Sequence, residues 1–167
     1  MDALMLSNYS DSSKAKKASD GLLQLVTFKL DNEEFAVNIL EVQEINRMTE
    51  ITKMPSSPHH VEGVVNLRGR VIPVVSLRKK LGLAEKANNE HSRIMIMDIQ
   101  GNTMGLIVDA VSEVLRIPSD IVEPPPPLST GSSTDYIKGV AKLEDRLIML
   151  VDLKGLFGFA DVSLIEA

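Results

Sequence analysis

Cysteine is absent from the 167 residues, which excludes a disulfide framework, a thiolate metal site and a cysteine nucleophile. Tryptophan is absent as well. With only four Phe and two Tyr, the core must be built from Val, Ile, Leu and Met. Basic residues are outnumbered, 18 Lys and Arg against 23 Asp and Glu, for a formal charge of −5. That balance works against nonspecific nucleic-acid binding, which needs a basic surface to neutralise phosphates. No apolar run approaches the roughly 18–20 residues of a membrane span. Residues Met1 to Leu6 lack the basic flank and long apolar core of a secretory signal, and the chain reads as cytosolic. What remains is 44% hydrophobic, enough for a proper core.

Catalytic constellations are missing too. Of the three histidines, His59 and His60 are adjacent and so point different ways, and His91 lies in a polar stretch; they do not read as metal ligands. Gly101 and Gly105 are not followed by the helix that a phosphate loop requires. No serine sits in a nucleophile-elbow context. Glu33, Glu34, Glu144 and Asp145 fall at expected turns, as solvated surface would. The expectation is a protein with no catalytic residue, no metal and no cofactor.

The chain is written twice. Leu25 to Ile45 aligns with Ile94 to Val114 at a constant offset of 69 without a gap, and Val42/Val111 and Glu44/Glu113 are identical. Gly63 to Gly82 aligns with Gly139 to Gly158 at an offset of 76. There the pairs Gly63/Gly139, Leu67/Leu143, Arg70/Arg146, Ile72/Ile148 and Val75/Val151 coincide. The seven extra residues of the second copy fit the Pro124 to Ser133 stretch, an irregular loop by composition.

Each copy reads as β. Short β-branched runs flank turns at Asp31-Asn32, Arg68-Gly69, Gly101-Asn102 and Glu144-Asp145. Leu77 to Leu81 and Leu153 to Phe157 read as helical turns ending at Gly82 and Gly158. Leu40 to Glu44 fits a short helix or a strand entry equally. Pro73 cannot donate to a ladder, which suggests an edge or an outward-facing amide. The expected organisation is a polar tail over 1–21, a domain over 22–159 and a short tail over 160–167. Within the domain, subdomain 1 spans about 22–83 and subdomain 2 about 92–159. Small units of this size need to pack on each other.

The run GVVNLRGRVIPVVSLR, Gly63 to Arg78, closely resembles the signature of CheW-like domains. EFAVNILEVQEI (Glu34 to Ile45), Ile51-Thr52, Pro55, Pro58, Gly105 to Asp109 and Tyr136 to Gly139 fit the same family. Ser76 departs from it, since the family more often has Asp there; the second copy keeps Asp152. The resemblance covers about residues 22–159 and favours a free-standing adaptor over the related terminal domain of the kinase CheA.

The resemblance implies an all-β fold with minor α content, two packed five-stranded SH3-like barrels arising from internal duplication. It implies a non-catalytic adaptor between the regulatory domain of the histidine kinase CheA and the cytoplasmic tip of methyl-accepting chemoreceptors. Such a protein is a cytoplasmic monomer when isolated, recruited to receptor arrays without inserting into the membrane. Receptor-facing positions carried over by motif are Val42, Glu44, Gly63, Asn66, Arg68 and Gly69; the kinase-facing surface has no comparable motif. A module of a non-motility chemosensory pathway is one alternative. A small-barrel nucleic-acid binder is another, opposed by charge and by the scarcity of aromatics. A sensor with a metabolite between the barrels has no residue in its favour.

The duplication weighs these residues separately. Gly63 and Val42 recur in the second copy, so the shared fold alone explains them. Glu44 recurs but is polar. The turn Asn66-Leu67-Arg68-Gly69 is replaced by Lys142-Leu143-Glu144-Asp145, which makes Arg68 the most distinctive candidate. An approach of Glu44 to Arg68 is expected, with Glu113 and Glu144 repelling each other in the second copy.

Overall fold

The structure, a computed structural model, describes residues 21–125 and 136–157. The expected tails, Gly158 and most of the Pro124 to Ser133 loop lie outside the described residues. β1 (Leu22–Leu30) and β2 (Glu33–Asn38) form a hairpin, and a 3-10 turn (Ile39–Glu41) leads into β3 (Val42–Arg47). β4 (Val61–Leu67) and β5 (Arg70–Ser76) form a second hairpin, followed by the helical turn Leu77–Lys80. The second copy repeats the order. It runs β6 (Arg93–Ile99), β7 (Asn102–Val108), β8 (Ala110–Pro118), a 3-10 turn (Ser119–Ile121) and β9 (Val122–Glu123). β10 (Ile137–Leu143), β11 (Arg146–Val151) and a helical turn over 153–157 complete it.

The fold is mostly β, in two sheets ordered β3-β6-β7-β5-β4 and β8-β1-β2-β11-β10-β9. Each curls shut on itself. Thr52, just after β3, bridges Val64 on β4, and β9, just after β8, pairs with β10. Closure removes the free strand edges that a small sheet would otherwise expose. Gly63 makes the first closure possible: a Cβ there would stand 2.1 Å from the Thr52 carbonyl oxygen. At the equivalent Gly139 it would meet Val122 Cγ1 at 2.6 Å.

The sheets do not divide the chain at the repeat boundary expected from sequence, 22–83 against 92–159. The β1–β2 hairpin of the first copy lies in the sheet of β8 to β11, between β8 and β11. The β6–β7 hairpin of the second copy lies between β3 and β5. The exchange is reciprocal, and burial is its cause. One face of the first hairpin fills its adopted barrel through Leu25 and Ala36. The other face, Val26, Phe28, Phe35 and Val37, enters a separate cluster between the barrels. Met95, Met97, Met104 and Leu106 of the other hairpin meet them there, while Ile94, Ile96 and Ile107 fill the first barrel. A hairpin that is apolar on both faces must be covered on both. The inter-barrel cluster is the largest core of the molecule.

Two sequence details resolve. Leu67 and Leu143 are both half-buried against their own barrel cores, as the repeat register requires. β5 is not an edge strand, since it lies between β7 and β4; its pairing with β7 begins at Val74, so Pro73 stands one residue ahead of that ladder.

Candidate functional site

The first barrel carries a charged corner at the β4–β5 turn. Arg68 and Gly69 both take positive φ, +53° and +84°, the conformation that a two-residue turn of the twist-matching kind demands. Gly69 supplies it freely, and Asn66 braces the turn by accepting from the Gly69 amide at 3.0 Å. Arg68 holds the same conformation against the usual preference of a residue with a Cβ. Its guanidinium donates to both oxygens of Glu44, Nη1 to Oε2 at 2.8 Å and Nη2 to Oε1 at 2.7 Å.

The Arg68 side chain remains 70% exposed while Glu44 beneath it is 28% exposed. Hydrogen bonding from Arg68 holds the Glu44 carboxyl below its usual range, and the arginine is raised in return. Screened by solvent, an exposed pair of this kind adds little to stability. Its effect is to fix one guanidinium edge and leave the rest of the plane facing outward.

Of the other motif residues, Val42 is half-buried against the inter-barrel core. Gly63 is buried under the Thr52 bridge and presents nothing at the surface. The structure thus brings Glu44, Asn66, Arg68 and Gly69 together, and gives Val42 and Gly63 places in the fold.

The second copy is wired differently. The expected Glu113–Glu144 repulsion is not how the carboxylate is used. Glu113 accepts from Arg146 Nη2 at 2.9 Å. Arg146 also donates to both oxygens of Glu34, at 2.9 and 2.8 Å, and is strongly raised by these partners. The equivalent of Arg146 in the first copy is Arg70, which is exposed and forms no ion pair among the described residues. The counterpart of Glu34 there is the uncharged Thr103, and Glu44 is already held by Arg68.

Composition gave no hint of the apolar surface beside Arg70. Val71 is 69% exposed and Met54 41%. With Arg70, Pro73, Asn102 and Thr103 they line a groove of about 470 Å³. Leu147, the repeat counterpart of Val71, is 59% exposed on the other barrel. The signal available was the pair itself: Arg-Val at 70–71 and Arg-Leu at 146–147 place an apolar residue at the same outward position twice.

Arg78, the last residue of the motif run, has a structural place that the motif does not express. It is buried at 7% exposure. It donates to Asp31 Oδ1 at 2.8 Å, to Asp109 Oδ2 at 2.9 Å and to the Ala84 carbonyl. One guanidinium therefore ties the tip of the β1–β2 hairpin to the end of β7. Among the described residues no three His, Asp or Glu side chains come together as metal ligands.

Comparison with known proteins agrees with the barrel pair. The CheW-like domain family model matches residues 24–160. The chain belongs to the CheW-like family. It is 34% identical over 142 residues to the probable chemotaxis protein CheW of Rhizobium etli, covering 85% of this chain and 92% of that one. It is 35% identical over 143 residues to the chemotaxis protein CheW of Rhizobium meliloti, covering 86% and 92%. The crystal structure of the scaffolding protein TtCheW from Thermoanaerobacter tengcongensis superposes with a TM-score of 0.76 at 40% identity, over 83% of this chain and 94% of that one. The CheW-like match spans both sheets, so the exchanged hairpins lie inside the family domain.

Proposed function

We propose that this chain is the non-catalytic coupling scaffold of a chemotaxis pathway, joining the regulatory domain of the histidine kinase CheA to the cytoplasmic tip of methyl-accepting chemoreceptors. The observation that carries the reading is the Arg68–Glu44 corner, set within a CheW-like domain that spans the described chain. An oriented, largely exposed guanidinium suits carboxylates or backbone carbonyls on a receptor helix. Val42, Asn66, Gly63 and Gly69 support that surface rather than extend it. The groove of Met54, Arg70 and Val71 is assigned to the kinase. An exposed arginine beside exposed apolar side chains is the composition of an interface anchor, not of solvated surface.

Among the described residues no helix is long and apolar enough to cross a membrane. Placement at receptor arrays is assigned to binding, not to insertion. The test is co-sedimentation of the purified chain with chemoreceptor-containing membranes, with and without CheA. Receptor binding lost on Arg68→Glu with kinase binding retained is the expected result. Failure of the unmodified chain to sediment with either partner would refute the function.

A further inference from the structure

Neither copy of the repeat can finish its fold alone, because each lends its first hairpin to the other. Removing β1 and β2 from the second sheet opens it between β8 and β11. Removing β6 and β7 opens the first between β3 and β5. Either loss uncovers the largest apolar cluster in the molecule.

The two halves are joined only by residues 82–91, which are mostly exposed and polar. They contribute Leu83, half-buried against the inter-barrel cluster with its amide donating to the Arg78 carbonyl, Ala84 as an acceptor for Arg78, and a 3.8 Å contact of Lys86 with Asp109. None of the ladders that join the halves, β1–β8, β3–β6, β5–β7 and β2–β11, runs through this linker.

We propose that the halves close between two chains as well as within one. The product is a reciprocally exchanged dimer in which residues 21–81 of each chain complete residues 92–157 of the other. All of these pairings, the inter-barrel core and the Arg78–Asp109 bond are satisfied equally in either arrangement. Only the linker conformation and concentration separate them. A short flexible linker sets an effective concentration on the order of mM. Below that the single chain closes on itself, and near it the exchanged form competes. Each exchanged dimer carries two Arg68–Glu44 corners in one assembly, which, on the adaptor reading proposed above, makes a monovalent adaptor bivalent. Exchange of identical elements through a hinge is a low-cost route to such dimers.

The test uses the absence of native cysteine. Lys29 on β1 and Ala110 on β8 are register partners and neither belongs to the buried core. One full-length chain carries Lys29→Cys and a second carries Ala110→Cys. They are unfolded together at about mM concentration, refolded and oxidised. The double variant in one chain calibrates the cross-link. Exchange predicts a covalent heterodimer from the co-refolded mixture, none from chains mixed after folding, and twice the chain mass by light scattering. A double variant that cross-links internally while the co-refolded mixture yields only monomers would overturn the proposal.

Discussion

Arg70 and Arg146 occupy the same position of the repeat, yet Arg146 is gripped by Glu34 and Glu113 while Arg70 forms no ion pair among the described residues. The difference comes from two substitutions between the copies. Glu34 becomes Thr103, and the turn residue Glu144 becomes Arg68, which captures Glu44. The same scaffold thus closes one barrel with an ionic clasp and leaves the other with an outward-facing cation.

Removing the two arginines should therefore have unequal effects. Arg146→Met leaves the half-buried Glu34 carboxylate without its donors and should cost about 1–3 kcal/mol. Arg70→Met should change stability by less than about 0.5 kcal/mol. Urea unfolding of the two variants side by side decides the matter. Equal midpoints would mean that the Arg146 clasp contributes nothing net.

Arg68→Glu copies the residue that the second repeat places at its own turn, where Glu144 adopts positive φ, +36°. The backbone should accept it, with a thermal midpoint close to that of the unmodified chain. Affinity for the receptor should fall by about 30-fold or more, the loss expected when one member of an interfacial charge pair is reversed, and receptor-dependent kinase stimulation should fall with it. Arg68→Ala should lie between. Full stimulation with Arg68→Glu as the sole adaptor would make Arg68 an ordinary solvated turn residue.

Arg78→Met should be the most damaging of the arginine changes, at about 2–4 kcal/mol, since the buried guanidinium is lost but Asp109 keeps other partners. It takes from Asp109, whose side chain is 18% exposed, its nearest cation, leaving the Asp31 amide at 2.7 Å and Lys86 at 3.8 Å, and it frees the hairpin tip from the Arg78 guanidinium. Hydrogen exchange should show amides near Asp31 and Asp109 losing protection before those of β4. Uniform loss across both sheets would show that the bond is not a local staple.

Burial raises the Glu41 carboxyl above its usual range against the pull of Lys138 and Lys154, and one of its oxygens is buried without a hydrogen bond. A raised native pKa means that the folded state holds its proton longer than the unfolded chain does. This residue's contribution is therefore most favourable below the unfolded value of about 4.5 and declines as pH rises through the native one. Glu41→Gln should raise the thermal midpoint at pH 7 relative to the unmodified chain, and the gain should shrink toward pH 4. A pH-independent difference would remove ionisation as its cause.

The exchange of hairpins was nearly legible in one place. Ile94-Met95-Ile96-Met97 has no polar residue on either face, which marks a strand covered on both sides. The repeat drew attention to pairing within hairpins and away from that run. The expected Glu113–Glu144 repulsion gives way for a related reason: Arg146 lies on the strand beside Glu34 and reaches Glu113 from there.

Sequence by itself determined the β class, the duplication, the turns, the family resemblance and the Arg68–Glu44 pair. Each of these rests on local spacing or on residues that differ between two aligned copies. Tertiary packing was needed to show which hairpin lies in which sheet, that Gly63 serves closure, that Arg70 is exposed and that Arg78 is buried. Those outcomes depend on strands such as β1 and β8, paired across most of the chain. Such pairing is settled by burying both faces of a hairpin at once, a requirement that no single stretch of sequence expresses.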